Sequence, residues 1–230
     1  MAYKKYLTFL ISAIILMVLI AFPRVLLDYF LEISVLFMIA SFLPYLISFS
    51  RKRMKSRELV VIAILGAIAA VGRIPFSAIP SVQPTTFVVI VSGMALGPQS
   101  GFVVGTLSAL VSNLVLGQGP WTPWQMYAWG MIGLTAGLLR NTFFLKNRIG
   151  LSSFGFVTGI LFGWVMNLWF VLGVMQEVNW GTIAAYYGAS LTFDVMHGVF
   201  NVILLYFFGA TWIKMIQRFR TKYGLFEFEA

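Results

Sequence analysis

Acidic residues number seven in 230, histidine one and cysteine none. Without cysteine there is no disulfide, no thiol nucleophile and no cysteine-ligated metal. The acids are Asp28, Glu32, Glu58, Glu177, Asp194, Glu227 and Glu229, and the histidine is His197. They form no HExxH motif and no carboxylate pair on one helix, and no GxSxG sequence occurs. That inventory argues against an enzyme, and neither cofactor nor metal is expected. A Walker A sequence is missing too, so the chain cannot power transport through a P-loop ATPase of its own. Charged residues make up 10% of the chain, against about 25% in a soluble domain.

Apolar residues fill the space left by charge. They are 60% of the chain, with a mean hydropathy of +0.91, which places it in a bilayer. The net charge of +9 does not point to nucleic acid. All but Arg24 and Arg73 of the sixteen lysines and arginines fall in four clusters: Lys4/Lys5, Arg51 to Arg57, Arg140 to Arg148, and Lys214 to Lys222. These clusters sit at alternate ends of the apolar segments. Cytoplasmic loops carry the excess of Lys and Arg, and juxtamembrane cations also meet anionic headgroups. The expectation is a multi-pass cell-membrane protein with an even number of spans and both termini in the cytoplasm.

Eight apolar segments are read, each helical because backbone groups in lipid must be satisfied internally. Two of them, Tyr6 to Phe22 and Glu32 to Ser50, make an N-terminal transmembrane hairpin over residues 1–50. Lys4/Lys5 ahead of an apolar core is also the form of a signal peptide. No small-x-small cleavage site follows, and Pro23 and Arg24 come next, so retention as a helix is expected. A basic cytoplasmic linker, 51–57, leads into a six-helix core over 58–216, and a cytoplasmic tail occupies 217–230. The core helices are expected at Glu58 to Ile74, Thr85 to Leu96, Gly101 to Leu116, Gln125 to Leu139, Ser152 to Met175 and Gly188 to Ile213. Outer loops are expected at 75–84, 117–124 and 176–187. No internal repeat is evident, which weakens an inverted-repeat transporter reading.

Several residues stand out against this apolar background. Ala63 and Ala67 are four apart, as are Gly66 and Ala70; such a strip lets another helix approach closely, either within this bundle or from a partner. The loop Gly117 to Trp124 is stiffened by Pro120 and Pro123. Its Trp121 and Trp124 serve either as an interfacial belt or as covers over a ring-shaped ligand. Gln118, Thr122 and Gln125 add uncharged hydrogen-bonding groups. Trp164, Asn167 and Trp169 lie on the seventh segment. Asp194, His197 and Asn201 share one face of the eighth. Polar groups inside spans are costly and face a cavity or a partner, so they make either a structural network, with Asp194 paired to His197 or Arg73, or a ligand site. Asn113 is open to both readings. Arg73 either snorkels to the interface or meets an acidic group of a ligand. On the positive-inside orientation these residues outline an outward-facing cup, mostly apolar with a few placed polar groups.

From Ser56 to about Arg220 the chain resembles the substrate-binding S components of energy-coupling factor (ECF) vitamin transporters. The resemblance rests on the six-helix core, the lead-in Glu58-Leu59-Val60-Val61-Ile62-Ala63-Ile64-Leu65-Gly66-Ala67, the turn Gly97-Pro98-Gln99-Ser100-Gly101, and Gly119-Pro120-Trp121-Thr122-Pro123-Trp124-Gln125-Met126. It implies vitamin capture on the outer side. Delivery would follow by reorientation in the membrane on a transmembrane scaffold (T) subunit driven by two ABC ATPases. It implies that Ala63 and Ala67 form the docking surface for the scaffold, with Gly66 and Ala70 in support. The chain is most similar to the cobalamin-specific S components, although the N-terminal hairpin departs from the six-helix form. A corrin ring carries several amides and suits a wide, aromatic, amide-rich cup; thiamin, another vitamin or a queuosine precursor would use the same residue types. A self-sufficient facilitator would need polar residues continuing through the cytosolic half, and few are there.

Overall fold

The computed structural model describes residues 55–175 and 178–226, together with Leu36. The expected hairpin apart from Leu36, residues 51–54 of the basic linker and the last four residues lie outside the described residues. Among the described residues the chain is helical throughout, without a strand: α1 (Ser56–Arg73), α2 (Thr85–Leu96), α3 (Pro98–Leu116), α4 (Thr122–Leu139), the single turn α5 (Phe143–Lys146), α6 (Arg148–Gly173), α7 (Trp180–Leu204), a π-helical turn (Leu205–Gly209) and α8 (Ala210–Lys222). Among the described residues three stretches are long and apolar enough to cross a membrane: Pro98–Leu116, Arg148–Gly173 and the continuous Trp180–Lys222; Thr85–Leu96 is apolar but shorter.

Helix α2 is the axis of the bundle. Its sequence is apolar on nearly every side, which buries a helix rather than giving it a solvent face, and all of its residues are buried. The chain then reverses sharply. Gly97 has φ +114°, a conformation that costs glycine nothing, and Pro98 opens α3 at a position where a missing N–H is harmless.

Helices α3 and α4 approach until backbone meets backbone. A Cβ on Gly101 or Gly105 would strike the carbonyl of Gly133 or Trp129, and one on Gly133 would strike Gly101. Helices α6 and α7 use the same device where Gly159 meets Gly198. On α7 the buried residues are only Asp194, His197, Gly198 and Asn201, the face expected from their spacing. Elsewhere α6 and α7 carry exposed large apolar side chains such as Leu161, Leu191, Phe193 and Val199.

Several helices start earlier than their sequence suggests. Helix α3 begins at Pro98 and α4 at Thr122, each with proline in the first turn. Helix α7 begins at Trp180 and takes up much of the expected loop 176–187. A reciprocal cap explains it: Thr182 N donates to Asn179 Oδ1 at 2.9 Å, and Asn179 N donates to Thr182 Oγ1 at 3.0 Å. The boundary expected at 216/217 falls inside α8, which runs to Lys222.

Candidate functional site

One end of the bundle collects the polar side chains. There α1 and α3 finish, α2 and α4 begin, and the α6–α7 connection returns. Arg73 closes α1. Its Nε donates to Gln83 Oε1 at 2.9 Å, and its Nη1 donates to Ser112 Oγ at 2.8 Å and to Asn113 Oδ1 at 2.6 Å. Asn113 is buried near the end of α3. Its Nδ2 donates onward to Thr122 Oγ1 at 3.0 Å and to Gln125 Oε1 at 2.8 Å. Thr122 Oγ1 gives its hydrogen to Gln118 Oε1 at 2.9 Å, and Gln118 Nε2 donates to the Leu110 carbonyl at 2.9 Å. The sequence thus supplies one cation and neutral acceptors, and the fold joins them into one chain of bonds. Among the described residues Arg73 Nη2 has no hydrogen-bond partner, and no carboxylate pairs with the guanidinium.

Beneath this network lies an aromatic floor. The Arg73 guanidinium sits 5.2 Å from the centre of the Trp129 ring, within cation–π range. Trp129 stacks on Phe162 at 4.5 Å, and Phe162 meets the His197 ring edge-on at 5.3 Å. Trp129 Nε1 donates to Thr86 Oγ1 at 2.9 Å, and Thr86 shares a 2.8 Å hydrogen bond with His197 Nε2.

A second wall comes from α6 and α7. Asn167 Nδ2 donates to Ser190 Oγ at 2.5 Å, and Ser190 Oγ donates to Asp194 Oδ2 at 3.2 Å. Asp194 therefore binds Ser190 and is paired with neither Arg73 nor His197, the two partners its sequence position suggested. Gly163 makes room for it: a Cβ there would occupy the place of the carboxylate. Trp121 touches Trp169 edge-on at 5.8 Å, which joins the α3–α4 connection to the end of α6.

Most of the expected site residues therefore converge. Arg73, Asn113, Gln118 and Gln125 form the first wall, Asn167 and Asp194 the second, His197 part of the floor, and Trp121 the link between walls. Trp124 is buried in the first turn of α4 against Tyr127 and Leu172, so it is neither a belt residue nor a cover. Trp164 is 46% exposed and joins neither wall; its carbonyl accepts from the Tyr187 hydroxyl at 3.0 Å. The small-residue strip of α1 divides. Ala63 and Ala67 are exposed. Gly66 and Ala70 are buried, with Gly66 against Leu107 of α3, so neither lines a surface open to a partner. Sequence reasoning missed Thr86, Trp129, Phe162 and Ser190. No three His, Cys, Asp or Glu side chains group to hold a metal among the described residues.

Exposed apolar helices around a hydrogen-bonded polar end define a helical membrane protein. Residues 57–208 match the sequence model of the family described as "ECF transporter, substrate-specific component". The chain belongs to that family, whose members are transporter subunits and not enzymes. A UPF0397 protein of Aliivibrio fischeri strain MJ11 is 32% identical over 101 residues, 42% of this chain and 54% of that protein. A UPF0397 protein of Vibrio atlanticus strain LGP32 is 30% identical over 99 residues, 41% of this chain and 53% of that protein. The chain thus spans about half the length of the curated relatives it matches. No solved structure matches it.

Proposed function

We propose that this chain captures a vitamin, cobalamin, at the outer face of the cell membrane. A six-helix core preceded by an N-terminal hairpin would carry the site, and both termini would lie in the cytoplasm. The chain would deliver the ligand by reorienting on a scaffold subunit driven by two ABC ATPases. Family membership and the absence of a Walker A sequence support this division of labour. The observation that carries the ligand reading is the polar end of the bundle. Two hydrogen-bonded walls, Arg73–Asn113–Gln125 and Asn167–Ser190–Asp194, flank the Trp129–Phe162–His197 floor. Amide and guanidinium groups match the side-chain amides of a corrin, and the rings match its flat apolar body. Arg73 Nη2 remains for a carbonyl or phosphate oxygen of the ligand.

In this reading Ala63 and Ala67, exposed on α1, meet the scaffold. The test is a binding titration of the purified full chain with cobalamin, using thiamin, riboflavin and biotin as controls. Saturable binding of cobalamin alone is expected. A folded sample that binds thiamin or another control in its place would overturn the ligand assignment while leaving the family intact.

A further inference from the structure

Helix α7, the π-turn and α8 form one continuous helix of 43 residues. At about 1.5 Å per residue it is roughly 65 Å long, about twice the hydrocarbon thickness of a bilayer. Its apolar run ends at Ile213, and Lys214, Arg218 and Lys222 then follow at intervals of four, which aligns them on one stripe. All three are exposed. Like charges at this spacing disfavour a helix, so an anion bound along the stripe would stabilise it. The described residues contain two acids, and both are engaged elsewhere. Glu58 accepts the backbone N–H groups of Lys55 and Phe226, and Asp194 is held by Ser190.

Two open grooves run along the stripe. One, of about 460 Å³, has Gln217 and Thr221 beside the three cations. The other, of about 570 Å³, sets the same cations beside Met215, Phe219 and Tyr223. Those three side chains are about half exposed. Lys222 Nζ lies 5.4 Å from the centre of the Tyr223 ring, and Phe219 packs on Tyr223 at 4.6 Å. A row of cations with an apolar trough along its side matches a molecule that is anionic at one end and hydrocarbon at the other.

We propose that the Lys214–Arg218–Lys222 stripe of α8 is a binding site for the phosphate headgroup of an anionic phospholipid, with Met215 and Phe219 against the upper carbons of its chains. The stripe begins directly after the last apolar turn, where cations collect beside a membrane span. Free phosphate would satisfy the cations but leave the trough open. An acidic protein surface would not need the trough.

The test uses the purified full chain in mixed micelles and follows its unfolding temperature as lipid is added. Phosphatidylglycerol should raise it; phosphatidylcholine and inorganic phosphate at equal concentration should not. The triple variant Lys214→Gln/Arg218→Gln/Lys222→Gln should bind phosphatidylglycerol more weakly by on the order of a hundredfold, with its unfolding temperature in phosphatidylcholine unchanged. Should the triple variant fail to fold, Lys222→Gln at the exposed helix end reads the same effect in part, as does the loss of the wild-type response in high salt. Equal stabilisation by phosphatidylcholine, or an undiminished response in either variant, overturns the proposal. A response to inorganic phosphate as large as that to phosphatidylglycerol makes the site one for free anions and overturns it too. Indifference to lipid, combined with loss of partner subunits from the variant on purification, would make the stripe a protein contact.

Discussion

Arg73 and Asn113, forty positions apart, are joined by a 2.6 Å hydrogen bond from the guanidinium Nη1 to the amide Oδ1. The same amide donates to Thr122 and Gln125, so one buried side chain ties α1, α3 and α4 together. Asn113→Ala removes an acceptor from a cation and a donor from two neutral groups. It should cost about 3 kcal/mol, because groups left unpaired in the interior lose their full desolvation free energy. Ser112→Ala, which removes one of the three acceptors around Arg73, should cost about 1 kcal/mol. Thermal unfolding of the purified variants decides; equal losses would show that Asn113 is not the hub.

The glycines offer a sharper contrast. Gly133 lies against the Gly101 backbone, whereas Gly188 on α7 has open space where a Cβ would go. Gly133→Val should destabilise by about 3 kcal/mol or more, because backbone cannot step aside as a side chain can. Gly188→Ala should be neutral or stabilise by up to about 1 kcal/mol through helix propensity. Expression level and unfolding temperature of the pair measure both.

Where local chemistry decides, the sequence reads well. Helix α2 has its expected bounds, Thr85 to Leu96, because Pro84 precedes it and the Gly97-Pro98 pair ends it. The Asp194–His197–Asn201 face follows from helical periodicity alone. Helix α7 starts eight residues before the expected Gly188, because the reciprocal Asn179–Thr182 cap lies in a polar, aromatic stretch that reads as loop. In the candidate site, Arg73, Asn113 and Gln125 stand out as polar groups in apolar surroundings. Thr86 does not. A hydroxyl in a membrane helix can satisfy itself on the carbonyl one turn back, as Ser92 does on Val88 and Ser108 on Val104. Nothing local announces that Thr86 instead meets His197, 111 positions away.

Thr86 therefore makes its own prediction. Its hydroxyl serves both the Trp129 indole and the His197 ring. Thr86→Val keeps the shape but strands two buried polar groups, at a cost of about 2–4 kcal/mol. Thr86→Ser keeps the bonds and should lose about 1 kcal/mol for one methyl group. If the two variants unfold together, the hydroxyl bridge contributes nothing.

A clasp at the other end of the bundle is equally open to test. Glu58, 2% exposed at the start of α1, accepts the backbone N–H of Phe226 at 2.6 Å and that of Lys55 at 2.9 Å. Phe226 is fully buried, and Arg220 holds the same segment through the carbonyls of Leu225 and Phe226. Phe226→Ala should cost about 3–5 kcal/mol as a buried aromatic lost to a cavity, and Glu58→Ala about 1–3 kcal/mol. Because the two residues share one contact, the double variant should lose less than the sum. Additive losses in unfolding experiments would mean that the segment and α1 are held independently.

The exposed and buried halves of the α1 strip separate docking from folding. Ala63 and Ala67 face outward, so Ala63→Trp combined with Ala67→Trp adds bulk where the proposed scaffold would lie and leaves the core untouched. Uptake into cells should be abolished, while ligand binding by the purified chain persists, because the polar walls at Arg73 and Asn167 do not include these positions. Gly66→Leu adds bulk on the neighbouring face of the helix, where a Cβ alone would stand 3.1 Å from that of Leu107. It should disturb α1–α3 packing and lower the unfolding temperature, with binding lost in proportion to fold. If the double tryptophan variant folds normally but cannot bind ligand, the docking strip and the binding site are not separate. If it supports full uptake, the outward face of α1 is not where the scaffold sits.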